Sequence, residues 1–334
     1  MKQNIPEMML AVFLTEEGEQ LATRRVPVPR PGPGEVLVKI AATPINPSDL
    51  ARIRNVTEPS ERLAFIPGIE GSGTVVDRGP GLLPRLWLGK RVACSSSHGT
   101  SGAWAEYMIT KAMSCVPLPV GISDEQGAMM LVNPLTAVAF FDIARRKRHK
   151  AIINTAAASS LGSIIELLGK KHHITVVHIV RNKKQRDLLV NRGAEYVLDS
   201  SDIDFTDDLY SLSHELQASL VLDAIGGGLT RQIMLAVPYG SSVLIYGNLS
   251  GEQPEIDYKS IILDNKKVSG FYLGNWLKER GMLTTVRSIL RVRQLLQSEI
   301  AVPVQERFPL DKAQQAVDTY VGNMTAGKVL LIPG

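Results

Sequence analysis

Residues 174–180, ITVVHIV, are nearly all apolar and mostly β-branched. A strand of that kind is buried on both faces, and two-sided burial belongs to parallel sheets covered by helices. The neighbouring segments agree. Residues 151–155 (AIINT) form a short apolar run. Leu161, Ile164, Ile165 and Leu168 then recur at the i, i+3, i+4, i+7 spacing of one helix face. Residues 184–192 are a further helix candidate, stopped by Gly193. Residues 196–198, 219–222 and 241–246 are three more short strand candidates. The order β-α-β-α-β implies a doubly wound parallel sheet with right-handed crossovers. A helical stretch at 283–296 and a strand at 328–332 end the chain.

The first third reads differently. Pro31-Gly32-Pro33-Gly34 is a strong turn signal after a proline-punctuated connector. Residues 35–40 (EVLVKI) alternate polar and apolar like a half-buried strand. Residues 71–76, 87–93 and 104–109 are further short strand candidates, so this region is expected to be a small barrel or irregular β domain. At 334 residues the chain has room for two domains. A hydrophobic share of 44% with 21% charged residues excludes disordered, collagenous and coiled-coil chains. No apolar run approaches the ~20 residues that span a bilayer. Residues 8–14 are too short for a signal peptide, so no membrane partner is expected. Two cysteines, Cys94 and Cys115, make neither a disulfide framework nor a four-cysteine zinc site, and a reducing cytoplasm is the default compartment. A net charge of +4 is too small to argue for nucleic acid.

The apolar run at 151–155 leads into Ala156-Ala157-Ala158-Ser159-Ser160-Leu161-Gly162. In a nucleotide-binding βαβ unit such a turn presents a helix N-terminus to a pyrophosphate. Only Gly162 remains where three glycines are usual, and a plain helix start would read the same way. The strand–helix alternation that follows favours the dinucleotide site. NAD sites place a carboxylate at the end of the second strand. This chain has Arg181-Asn182-Lys183-Lys184 there, with no acid before Asp187. Arg181 can bind a ribose 2′-phosphate through two parallel hydrogen bonds and Lys184 can add charge, which points to NADPH. A solvated basic helix start is the alternative.

These segments, with Ile45-Asn46-Pro47-Ser48-Asp49-Leu50, Pro67-Gly68-Ile69-Glu70-Gly71-Ser72-Gly73, Gly102-Ala103-Trp104-Ala105-Glu106-Tyr107, Asn133-Pro134-Leu135-Thr136-Ala137, Asp223-Ala224-Ile225-Gly226-Gly227 and Ala326-Gly327-Lys328-Val329, resemble the medium-chain dehydrogenase/reductase superfamily over essentially the whole length. The specific resemblance is to its zinc-free quinone oxidoreductase and enoyl reductase branch. The resemblance implies an α/β chain with a GroES-like β-barrel catalytic domain (1–130 and 274–334) and a Rossmann doubly wound parallel-sheet domain (131–273), with NADPH bound between them. It also implies a homodimer built around residues 267–271. Zinc-dependent members carry a cysteine where this chain has Asn46, a histidine-glutamate pair at Ile69-Glu70, and a third ligand near Asn133. No metal is therefore expected.

By resemblance, Asn46 and Asn133 flank the nicotinamide and orient its carboxamide or the substrate oxygen. Thr136 and Ile225 fall in matching stretches that line the cofactor. Ala158, Ser159, Ser160 and Leu161 take the pyrophosphate. Arg181, Asn182 and Lys184 take the ribose phosphate, and Tyr196 the adenine side. Tyr246, Gly247, Asn248, Phe271, Tyr272, Leu273 and Lys328 close the nicotinamide end. Mitochondrial-type enoyl thioester reductases have a tyrosine near Thr57, and many quinone reductases have one near Ala51 or Arg52. Neither tyrosine is present here, so no proton donor is assigned. Arg52 or Arg54 would stabilise an anionic product if its loop folds inward; otherwise both are solvated. Without zinc to polarise a ketone, the expected acceptors are quinones and enones, which are already electron-poor. Enoyl thioester reduction, and NADPH binding with little turnover, are the alternatives. The basic run Arg145-Arg146-Lys147-Arg148-His149-Lys150 has no interleaved aromatics and suits a helix C-terminus.

Overall fold

The computed structural model describes residues 5–15, 20–56, 58–97, 101–299 and 302–334. It divides into two compact units, Met1–Val132 with Ile289–Gly334, and Asn133–Ser288. The first unit is thus assembled from two separated stretches of chain.

β1 (Met8–Leu14) and β2 (Leu21–Pro27) form an antiparallel hairpin. The proline connector then enters β3 (Glu35–Pro44). Next come α1 (Pro47–Asn55), α2 (Pro59–Ala64), β4 (Glu70–Arg78) and α3 (Leu82–Trp87). β5 (Arg91–Ser95), β6 (Tyr107–Lys111), β7 (Cys115–Pro117) and α4 (Asp124–Ala128) complete this stretch. β3 is covered on both faces rather than one. Val36, Val38 and Ile40 pack with Val75, Val92 and Met108. Leu37 packs with Met9, Phe13 and Tyr107. Residues 87–93 are not one strand. Trp87 ends α3 and donates its indole N–H to the Ala112 carbonyl at 3.0 Å, and Gly89 turns the chain at φ 77° before β5 begins. Likewise 104–106 precede β6, with Trp104 fully buried.

α5 (Val132–Arg146) leads into the second unit. There β8 (Ala151–Asn154), α6 (Ser160–His172), β9 (Thr175–Val180), α7 (Lys183–Asn191), β10 (Tyr196–Asp199) and α8 (Phe205–Glu215) alternate. β11 (Ala218–Asp223), α9 (Gly227–Ala236), β12 (Ser242–Ile245), α10 (Tyr258–Ile262) and β13 (Lys267–Gly270) follow. The six strands are parallel in the order β10-β9-β8-β11-β12-β13. β9 is buried on both faces, as its composition requires: Val177 and Ile179 pack with Ile153, Val221 and Val243, while Val180 packs with Ala157 and Leu189. The strand order reverses between β8 and β11. Ligands of such sheets bind outside the carboxyl ends of the strands at that point.

α11 (Leu273–Ser298) begins ten residues before the expected 283 and is broken at Gly281, whose φ of 74° suits glycine alone. β14 (Val304–Phe308), α12 (Ala313–Gly322) and β15 (Lys328–Leu331) return to the first unit. β15 pairs with β3, which gives the sheet order β14-β15-β3-β4-β5-β7, with β6 also on β3. Among the described residues no helix is long and apolar enough to cross a membrane.

Candidate functional site

β8 ends at Asn154, and the turn after it is built without the usual glycines. Ala156 takes the left-handed conformation at φ 50°, which costs a residue with a Cβ roughly 1–2 kcal/mol. Ala157 N–H bonds the Ile179 carbonyl at 3.2 Å and ties the turn to β9. Ser159 is the N-cap of α6, and its hydroxyl accepts from Gly162 N–H at 3.1 Å. That leaves its own O–H to donate. The backbone N–H groups of Ser160 and Leu161 lie in the first helical turn, where no intrahelical carbonyl can reach them. An anion fits this end of α6 by both dipole and hydrogen bonding.

Across the switch point, Asp223 organises the turn after β11. Its fully buried carboxylate accepts from Ile225 N–H (2.9 Å), Thr155 Oγ1 (3.1 Å) and Thr230 Oγ1 (2.7 Å). Thr155 Oγ1 in turn accepts from Ala224 N–H at 2.8 Å. Gly247 packs close to Ala224, whose carbonyl oxygen would lie 3.0 Å from any Cβ there. Tyr246 and Phe271 both lie against Phe140, with ring centroids 5.0 and 4.7 Å away. Burial, and then the Asp223 charge, push the Tyr246 hydroxyl well above its ordinary range, so the phenol stays protonated. Ile225, Tyr246, Gly247, Asn248 and Phe271 thus gather at the carboxyl ends of β11–β13. Tyr272 is 71% exposed and packs on Gly274, and Leu273 opens α11. Asn133 and Thr136 lie near the start of α5. Asn154, and His178 directly opposite it on β9, are buried, and Asn154 Oδ1, Asn154 Nδ2 and His178 Nδ1 have no partner among the described residues.

Arg181 follows β9 directly and is exposed, as is Lys184 in the first turn of α7. Asn182 caps α7, accepting from Gln185 N–H at 3.0 Å, which leaves its NH₂ group free to bind elsewhere. Cations at a helix N-terminus oppose its dipole, so their presence fits a bound phosphate. Tyr196 begins the strand expected at 196–198. It opens β10 opposite Val177 and packs on the sheet core. The residues at the carboxyl end of that strand are Asp199 and Ser200.

The first unit holds a buried charged network. Lys328 Nζ donates to Asn46 Oδ1, and Asn46 Nδ2 donates to Glu70 Oε1 at 3.0 Å. Glu70 Oε2 accepts from the N–H groups of Leu131 (3.0 Å) and Val132 (2.9 Å). Asp49 accepts from the N–H groups of Asn46 (2.8 Å) and Ile69 (2.7 Å). Burial pushes the Glu70 carboxyl up to about 7 and that of Asp49 to about 6, while Lys328 and the N–H donors pull both down. Burial also lowers Lys328, against the pull of the two carboxylates. Lys328, expected at the nicotinamide end, is 2% exposed and engages Asn46 instead of solvent. Arg52 stacks on Phe65, 5.3 Å from its centroid. Ser48 Oγ, in the first turn of α1, is a buried hydroxyl with no partner among the described residues. Thr57 lies outside the described residues. Sequence reasoning had Asn46 and Lys328 separately, but set Glu70 aside and did not name Ser48, Thr155 or Asp223 as site residues. Pairing across so long a stretch of chain leaves no local signal.

Two family models match the chain: "Alcohol dehydrogenase GroES-like domain" over residues 32–120 and "Zinc-binding dehydrogenase" over residues 160–288. A Mesorhizobium loti protein assigned as an NADPH:quinone reductase is 32% identical, covers 99% of this chain and 100% of its own, and superposes with a TM-score of 0.89. A mycobacterial protein solved in complex with NADPH is 25% identical, covering 97% of this chain and 100% of its own, with a TM-score of 0.82. The mitochondrial enoyl-[acyl-carrier-protein] reductase of Xenopus tropicalis is 25% identical over 93% of this chain and 91% of its own. The zinc in the second description does not fit these residues. Asn46 and Ile69 are not zinc-ligand types, and both oxygens of Glu70 are taken up by N–H donors. Among the described residues no group of three or more His, Cys, Asp or Glu side chains could hold a metal ion.

Proposed function

The chain belongs to the medium-chain dehydrogenase/reductase superfamily, and from that premise we propose that it is a zinc-independent, NADPH-dependent oxidoreductase that reduces a quinone or another activated alkene. One observation carries this reading: the carboxyl ends of β8 and β9 combine a helix N-terminus suited to a pyrophosphate with Arg181 and Lys184, and no carboxylate, where the ribose 2′ position falls. That is the charge pattern of NADPH and not of NADH. Similarity over 99% of this chain to the Mesorhizobium loti protein assigned as an NADPH:quinone reductase supports the choice of acceptor.

The nicotinamide, when bound, supplies the hydride. Ser159, Ser160 and Leu161 bind the pyrophosphate, and Arg181 with Lys184 binds the 2′-phosphate. Tyr246 and Phe271 give the nicotinamide end an apolar wall. Reduction leaves negative charge on the acceptor oxygen, which the Asn46 side-chain N–H is suited to stabilise. We assign the protein to the cytoplasm and to a homodimer that joins the exposed edge strand β13 of two copies.

Enoyl thioester reduction is the second reading, favoured by the similarity to the Xenopus enzyme. One assay separates them: NADPH and NADH oxidation followed against ortho-quinones, enones and enoyl thioesters. Turnover with quinones or enones is expected. Faster turnover of enoyl thioesters selects the second reading, and tight NADPH binding with no turnover of any acceptor overturns both.

A further inference from the structure

Asn46 is clamped between two groups of opposite charge, and all three side chains are buried: Asn46 is 1% exposed, Glu70 1% and Lys328 2%. The Lys328 ammonium donates to Asn46 Oδ1 and reaches the Ile45 carbonyl at 3.5 Å. The Glu70 carboxylate receives Asn46 Nδ2 at 3.0 Å. An ammonium can only donate and an ionised carboxylate can only accept. Turning the amide over would set N–H against N–H at Lys328 and oxygen against oxygen at Glu70. The two charges therefore admit one orientation.

Both clamps are themselves held. The second oxygen of Glu70 takes the N–H groups of Leu131 and Val132, and its backbone carbonyl takes Thr43 Oγ1 at 2.7 Å. Three N–H donors converge on this carboxylate, so its ionised form is the one the geometry satisfies. Lys328 begins β15, and its N–H bonds the Pro303 carbonyl at 2.8 Å. The second N–H of Asn46 Nδ2 is left with one fixed direction.

We propose that Lys328 and Glu70 are positioning residues that lock the Asn46 amide, so that its second N–H meets the acceptor oxygen as that oxygen gains charge. The inference rests on the reductase reading above, and it assigns Lys328 and Glu70 a role through Asn46 rather than by contact with substrate. A preorientated donor acts on the rate more than on cofactor binding, because its bond strengthens as charge develops.

Three variants test this. Lys328→Met removes the charge at similar length, and Lys328→Arg keeps it. Glu70→Gln keeps the shape, but must turn an NH₂ group either toward Asn46 Nδ2 or toward the Leu131 and Val132 N–H groups. With an ortho-quinone, kcat should fall roughly tenfold or more in Lys328→Met and Glu70→Gln. The NADPH Kd, read by fluorescence titration, should stay within about threefold of the wild type. Lys328→Arg should recover much of the lost kcat. If kcat is unchanged in both damaging variants, or falls in step with NADPH affinity and is not recovered by arginine, the proposal is overturned. A second measurement is independent of turnover. In ¹H–¹⁵N spectra the two Nδ2 protons of Asn46 should be widely split and slow to exchange, and the splitting should shrink in Lys328→Met and Glu70→Gln. If the wild type reduces no acceptor, the reductase reading fails while this spectrum still decides the clamp: a signal indifferent to both substitutions refutes it.

Discussion

A methyl group on Gly162 would lie 2.0 Å from the carbonyl oxygen of Ala157. The obstacle is backbone, so no side chain can swing aside to make room. Gly162→Ala should therefore push the start of α6 away from the turn, at a cost of about 1–3 kcal/mol. NADPH affinity should fall roughly tenfold, because the first-turn N–H groups move with the helix. Fluorescence titration of NADPH, beside a thermal melt, measures both. An alanine variant that binds NADPH as the wild type does would show that this turn does not form the cofactor site.

The same turn shows what a sequence of this kind reveals. The helix after it was legible because Leu161, Ile164, Ile165 and Leu168 are repeated burial events on one face. β9 was legible because both its faces are covered, which leaves an almost unbroken apolar run. Residues 87–93 misled because a turn at Gly89 separates two apolar stretches that read as one. The Lys328–Asn46–Glu70 network was invisible as a network, since hydrogen bonds between residues from three separate stretches of chain follow no sequence period.

Arg181 and Lys184 should separate the two nicotinamide cofactors. A charge-assisted, bidentate hydrogen-bond pair to phosphate is worth about 1.5–3 kcal/mol. Arg181→Ala should therefore weaken NADPH roughly 10- to 100-fold and leave NADH almost unchanged. Lys184→Ala should act in the same direction by less, because an ammonium gives a point charge without the planar fork. Isothermal titration with each cofactor reads the difference. A wild-type protein that prefers NADH would remove the argument at its root.

Cys94 and Cys115 face each other across β5 and β7 as paired residues, yet both are buried. Burial pushes the Cys115 thiol up to about 12, and raises Cys94 as well. The thiolate is the reactive form, so both should be inert in the native state. Ellman's reagent should find no fast-reacting thiol in folded protein and two per chain after denaturation. Rapid labelling of native protein at neutral pH would mean that this sheet opens.

Acid stability should depend on one pair in the second unit. His178 Nε2 lies 2.5 Å from Glu166 Oε2, and Lys170 Nζ lies 2.8 Å from Glu166 Oε1. Burial alone would raise the Glu166 carboxyl; the His178 and Lys170 hydrogen bonds and charges more than offset it and bring it to about 2, against an ordinary 4.5. The unfolded chain therefore binds this proton at higher pH than the folded one. The stabilisation is complete above pH 4.5 and drains away as the pH falls toward 2. At 1.36 kcal/mol per pH unit the span corresponds to at most about 3–4 kcal/mol. Asp49 and Glu70 work in the opposite sense, since their raised values favour the folded state as acid is added. A melt of the wild type alone would mix the two trends. Glu166→Gln removes only the first, so the gap in thermal midpoint between wild type and variant isolates it. That gap should be several degrees at pH 6.5 and shrink to about a quarter of that near pH 2.5. A gap of constant size across this range would mean that the charge on Glu166 contributes nothing and that the pair holds α6 to β9 by packing alone.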